Sequence, residues 1–182
     1  DIVLVKDVKP GTENKEFEKI ATNIADTLSA EFYTQVAIGI STVVENIKDL
    51  ARAYKEAQVA LEVGKVFENE KNIISYENLG IGRLIYQLPI PLCKMFIKEI
   101  FENRSPDDFD EETLTTINKF FENNLNVSET SRQLYVHRNT LVYRIEKLMK
   151  CTGLDVRTFD DALTFKIALM VVNYMNYLKT KE

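Results

Sequence analysis

The stretch NNLNVSETSRQLYVHRNTLVYRIEKLMK, residues 123–150, decides the fold of the C-terminal part. Asn126, followed three residues later by Glu129, has the form of a capping box and opens a short predicted helix over 128–134. Tyr135, Val136 and His137 form a tight turn. The next predicted helix, 138–150, repeats Leu141, Ile145, Leu148 and Met149 at helical spacing on one side. Two short helices joined by a tight turn, the first capped and the second basic, are the sequence form of a helix-turn-helix. Ser131 is the small residue expected where the two helices cross, and Val136 and Leu141 are the apolar anchors. The turn position often held by Gly is Tyr135, which needs a strained conformation or a different turn.

With Leu141, Ile145 and Leu148 inward, a 3.6-residue period turns Asn139, Tyr143, Glu146 and Lys150 outward, with Thr140 and Lys147 flanking them. Arg138 belongs to the first turn, where a recognition helix reaches base edges. Arg is the bidentate partner of guanine, as Asn is of adenine. Tyr143, Lys147 and Lys150 suit phosphate or sugar contacts that position without specifying. The candidate DNA-binding residues are therefore His137, Arg138, Asn139, Thr140, Tyr143, Arg144, Lys147 and Lys150. Plainer readings stand beside these. A basic helix face is usually a solvated face, Arg144 can be tied to an acid such as Asp160, and Glu146 repels phosphate. His137 reads first as a turn and N-cap residue.

Working outward, Leu114, Ile117, Phe120 and Phe121 mark a helix from 111 that ends near Asn123 and Asn124. A last helix, 160–178, opens with Thr158 and Asp161 placed as a capping box. It carries Leu163, Ile167, Met170 and Tyr174 along one side, leaving Met175 or Tyr177 for a dimer contact. Upstream, Gly80, Gly82, Pro89 and Pro91 punctuate a connector, 81–110. A helix over 92–103 there is expected to bury Met95, Phe96 and Ile100, with Cys93 as a small packed hydrophobe. Ser105, Pro106, Asp107 and Asp108 break that helix near the domain boundary.

The first eighty residues alternate differently. Residues 2–5, residues 35–40 and the Ile73, Ile74, Tyr76 segment read as strands. Between them, Phe17, Ile20, Ala21, Ile24 and Leu28 mark a helix over 14–30, and Ile47, Leu50, Ala51, Tyr54 and Leu61 mark another. The order is β-α-β-α-β. No Gly-rich phosphate loop or strained nucleophile turn is present, and Asp1, Asp7 and Asp26 read as solvated or capping acids.

Composition sets outer bounds. In 182 residues, 45% hydrophobic and 28% charged with 6 Gly and 4 Pro, there is material for one domain plus a smaller one and no sign of a disordered chain. The longest apolar runs, such as 167–172, fall far short of the roughly 20 residues that cross a bilayer, so a soluble protein is expected. Cys93, Cys151 and the single histidine, His137, cannot make a structural zinc site or a disulfide framework. A reducing, cytoplasmic compartment follows, with no metal and no cofactor. A lone histidine also leaves little for His-based catalysis, so no enzyme is expected. The net charge is −5, yet residues 125–150 hold five basic side chains against two acidic ones. A basic segment in an acidic chain can meet phosphate locally while the rest discourages non-specific adhesion.

Two resemblances bear on these readings. ARAYKEAQVALEVGKVFENEKNIISYENLG, residues 51–80, resembles the C-terminal half of a GGDEF-like, cyclase-palm domain. The Gly-Gly-acid signature of cyclic-di-GMP synthases would lie ahead of residue 2. Cyclase activity is therefore not expected, and the chain reads as a fragment beginning within a domain. NNLNVSETSRQLYVHRNTLVYRIEKLMKCTGLDVRTFDDALTFKIAL resembles the C-terminal helix-turn-helix domain of the CdaR/PucR family of sugar-diacid and purine-catabolism regulators. The core VHRNTLVYRI, residues 136–145, and FDDAL, residues 159–163, carry that resemblance. A looser similarity to the factor for inversion stimulation covers only the helix-turn-helix.

The family resemblance implies a GGDEF-like domain ahead of the DNA-binding domain, an apolar or aromatic residue at the Tyr135 turn, and a last helix completing the core. It also implies a small-molecule inducer bound by an N-terminal domain upstream. The expected fold is α+β: a partial GGDEF-like β-α-β-α-β domain, 1–80, a helical connector, 81–110, and an all-α helix-turn-helix domain, 111–182. The expected function is sequence-specific transcription regulation on double-stranded DNA. A homodimer is expected because one short helix reads too few base pairs, and no membrane is involved. The rival is a protein-interaction or dimerisation module that does not bind DNA.

Overall fold

The computed structural model describes residues 2–67, 71–102 and 109–181, and the chain divides into two compact units, Asp1–Tyr86 and Gln87–Glu182. The first unit holds α1 (Asn14–Phe32), β1 (Ile38–Ile40), a 3-10 turn (Ile47–Asp49) running into α2 (Leu50–Phe67), β2 (Ile73–Ser75), a second 3-10 turn (Tyr76–Leu79) and α3 (Ile81–Tyr86). Strands β1 and β2 pair in parallel, Ile38 opposite Ile73 and Ile40 opposite Ser75, and α2 is the crossover between them. Parallel neighbours need such a crossover, and α2 packs on the pair with Ala53, Ala60, Val63 and Val66 buried, whereas Ile47, Ala51 and Tyr54 of the expected stripe are exposed. Ala60, Val63, Ile74 and Leu79 form the small core. Helix and strand approach so closely that a Cβ on Gly39 would stand 2.2 Å from the Ala57 carbonyl oxygen.

Two sequence expectations change here. Residues 2–5 form no strand. Ile2, Val3, Leu4 and Val5 are exposed and irregular, because β-branched composition favours a strand only where a partner supplies the ladder and a face to cover. Instead of three strands, the sheet among the described residues has two, each three residues long. Gly82, expected as punctuation, lies buried inside α3, where its missing side chain leaves room for Phe67 and Val63.

The second unit is all helical: α4 (Ile90–Phe101), α5 (Glu111–Glu122), α6 (Val127–Gln133), α7 (Arg138–Thr152) and α8 (Phe159–Lys179). Its core joins Phe101, Phe109, Ile117, Phe120, Leu141, Ile145, Leu148, Val156, Ala162, Phe165, Ala168 and Val172. Phe101 stands edge-on to both Phe109 and Phe165, with centroids 6.3 and 5.9 Å apart, the geometry that the ring quadrupole favours.

Helix α4 buries Cys93 and Phe101 and rests Phe96 and Ile100 against this core, whereas Met95, expected inside, is 60% exposed. The expected break at Ser105–Asp108 lies outside the described residues. On α8 the buried stripe is Ala162, Phe165, Ala168, Val171, Val172 and Tyr174. Leu163 is exposed and Ile167 and Met170 are half-buried, so of the expected face only Tyr174 is inside. The expected capping box of α8 is also absent. Thr158 turns its hydroxyl back to the Asp155 carbonyl at 3.1 Å, and Asp161 accepts from the Asp155 backbone N–H at 2.9 Å.

Candidate nucleic-acid interface

Helix α6 begins where Asn126 Oδ1 accepts the Glu129 N–H at 3.0 Å, satisfying a donor that the helix start would leave open. The return half of the box is not made, because the Glu129 carboxylate is taken by Arg132 and Gln133. Thr130, rather than Ser131, is the fully buried residue of α6. Its hydroxyl donates to the Asn126 carbonyl at 2.7 Å, so it enters the core without an unpaired group, while Ser131 stays half-exposed.

The turn follows. Tyr135 has φ 54°, the left-handed region, and 96% of its surface is exposed. Val136 is half-buried against the core. His137 caps α7, its Nδ1 accepting the Asn139 N–H at 3.2 Å. Leu141, Ile145 and Leu148 then pin α7 on the core with no exposed surface, and Gly153, at φ 74°, closes the helix with a bond to the Met149 carbonyl.

This placement turns His137, Arg138, Asn139, Thr140, Tyr143, Lys147 and Lys150 to solvent. The first four cluster at the amino end of α7, Tyr143 and Lys150 lie along the outward face, and Glu146 is half-buried beside them. Arg144 is different. Its side chain is only 19% exposed, its Nη1 donates to Thr116 Oγ1 at 2.9 Å, and its Nη2 pairs with Glu112. The acid that takes Arg144 is therefore Glu112 on α5, not Asp160.

Lys147 is exposed but engaged, its Nζ 2.6 Å from Asp110 Oδ2. The hydrogen bond from Lys147, with a further one from Thr113, holds the Asp110 carboxyl well below the usual carboxylate range, and the same pair pushes the Lys147 ammonium up. Asp110, Glu112 and Thr116 were not among the residues singled out from sequence. They lie 28 to 37 residues from their partners, where no local period reaches.

The geometry is that of a helix-turn-helix: a short capped helix, a tight turn, and a second helix pinned on its apolar side with its polar side open. Residues 113–171 match the family model described as PucR C-terminal helix-turn-helix domain, and residues 1–63 match the one described as GGDEF-like domain. The chain thus carries a GGDEF-like domain followed by a helix-turn-helix domain of the PucR C-terminal type.

The purine catabolism regulatory protein of Bacillus subtilis (strain 168) is 29% identical over 143 residues, covering 78% of this chain and 27% of that protein. The carbohydrate diacid regulator of Escherichia coli (strain K12) is 41% identical over 56 residues, 31% of this chain and 14% of that one. The chain thus spans 27% or less of the length of these two relatives. A solved structure of a regulator of polyketide synthase expression from Bifidobacterium adolescentis is 21% identical, covering 67% of this chain and 50% of that chain with a TM-score of 0.39. Among the described residues no helix is long and apolar enough to cross a membrane.

Proposed function

We propose that this chain is the DNA-binding part of a cytoplasmic, sequence-specific transcription regulator that places α7 in the major groove of double-stranded DNA. The observation that carries the proposal is the amino end of α7, where Arg138, Asn139 and Thr140 all face solvent on a helix fixed from behind by Leu141, Ile145 and Leu148. Arg138 and Asn139 are the base-reading residues. Tyr143 and Lys150 meet the phosphates, joined by His137 at the helix start. Two copies bind paired half-sites, and the inducer is a small molecule taken by a domain upstream of residue 1. The names of the two relatives attach to purine catabolism and carbohydrate diacids, and a catabolic operon is the corresponding target here.

The experiment is enrichment from a random duplex library, with bound fraction followed over a salt series. An enriched motif with two related halves and affinity that falls steeply with salt is expected. Arg138→Ala should relax sequence preference and cost about 1–3 kcal/mol on the enriched site, whereas Lys150→Ala should weaken all duplexes alike. No enrichment together with salt-independent behaviour would overturn the proposal in favour of a protein-interaction module.

A further inference from the structure

Two cations of α7 are already engaged within the protein, and they are engaged differently. Arg144 is wedged between Thr116 and Glu112, mostly out of water, and ties α5 to α7. Lys147 and Asp110 both remain half open, each side chain 48% exposed. Asp110 is also held from its other oxygen. Oδ1 accepts the Thr113 N–H at 2.7 Å as the N-cap of α5, and Oδ2 is left for Lys147. The carboxylate cannot swing away without uncapping its own helix. Any phosphate that approaches Lys147 therefore meets a fixed negative charge beside it.

Resting on the DNA-binding reading above, we propose that Asp110 is a positioning residue that holds Lys147 toward α5 and sets a ceiling on how strongly the α7 face attracts phosphate. A surface ion pair is weak in water, so a phosphate oxygen can exchange for Asp110 at Lys147, but it gains little while Asp110 stays in place. Phosphates are the same on every duplex. The ceiling therefore lowers binding to random DNA as much as to the preferred site, and discrimination is left to Arg138 and Asn139.

The test uses the full chain and a random-sequence duplex over a salt series. Asp110→Asn removes the charge and keeps an N-cap of similar quality, and Asp110→Ser is a second neutral cap. Both should bind the random duplex about three- to tenfold more tightly at low salt, with the slope of log K against log salt steeper by roughly 0.9, one added phosphate contact. Glu111→Gln changes net charge equally at the neighbouring residue, which holds no bond to α7, and should leave the slope unchanged. In a Lys147→Ala background Asp110→Asn should give no gain.

Unchanged or weaker binding by both neutral variants, with thermal melts showing them folded, would overturn the proposal. So would a gain that persists without Lys147. Failure of the underlying reading looks different, since the wild-type chain would then bind no duplex in a salt-dependent way, and this proposal would fall with it.

Discussion

Arg144 donates to the Thr116 hydroxyl at 2.9 Å, and that hydroxyl donates in turn to the Glu112 carbonyl at 2.7 Å, so one fully buried Thr links the side chain of α7 to the backbone of α5. Thr116→Val keeps the shape and removes both bonds. Because a hydrogen bond to a charged group contributes about 1.5–3 kcal/mol, urea unfolding of the variant should show a loss in that range. No loss would mean that Glu112 alone holds Arg144 in place.

Tyr135 occupies a conformation that suits glycine, and its side chain is almost wholly in water. Tyr135→Gly should therefore raise the melting temperature, with a gain of up to about 1 kcal/mol from relieved backbone strain. A fall in melting temperature would show that the phenol ring stabilises the turn.

Gly39→Ala and Gly153→Ala separate two costs. At Gly39 the added methyl meets the Ala57 carbonyl at 2.2 Å and Leu61 Cγ at 2.9 Å, and helix backbone cannot give way cheaply. A loss of about 1–3 kcal/mol is expected. At Gly153 nothing lies within 4 Å, and only the positive φ of 74° opposes alanine, so a loss of about 1 kcal/mol is expected. Denaturant midpoints of the two variants would check both values.

Asp110 gives the second unit a defined acid response. Its folded pKa is depressed, first by Lys147 and then by Thr113, so its contribution to stability is complete above the unfolded value of about 3.9 and is lost as pH falls through the folded one. Urea midpoints measured from pH 6 downward should fall less steeply below about pH 4 in Asp110→Asn than in the wild type. Parallel curves would show that Asp110 does not contribute.

Much of the second unit was legible in sequence, because its signals are local. Leu141, Ile145 and Leu148 repeat at a helical period, Asn126 stands just ahead of a short helix, and His137 sits where a cap is needed; the structure uses all of them in that way. Helix α8 misled because apolar residues ring most of its circumference. Leu163, Ile167 and Met170 trace as good a stripe as Ala162, Phe165 and Ala168, and only packing against α4 and the core chooses between them. Residues 2–5 misled for another reason, since strand propensity says nothing about where a partner is. The links from α7 to Asp110, Glu112 and Thr116 had no signal at all, since they form only once α5 and α7 are packed together.

Cys93 lies on α4 with 1% of its surface exposed, and burial pushes its thiol up from the ordinary range. A thiol that is both protonated and shut away reacts with an alkylating reagent only after the surrounding helices part. Its labelling rate is therefore a clock for transient opening of the second unit. Half-buried Cys151 should label sooner, which gives each molecule an internal reference. A bound duplex that clamps the helices would slow the Cys93 clock without any substitution being made in the protein.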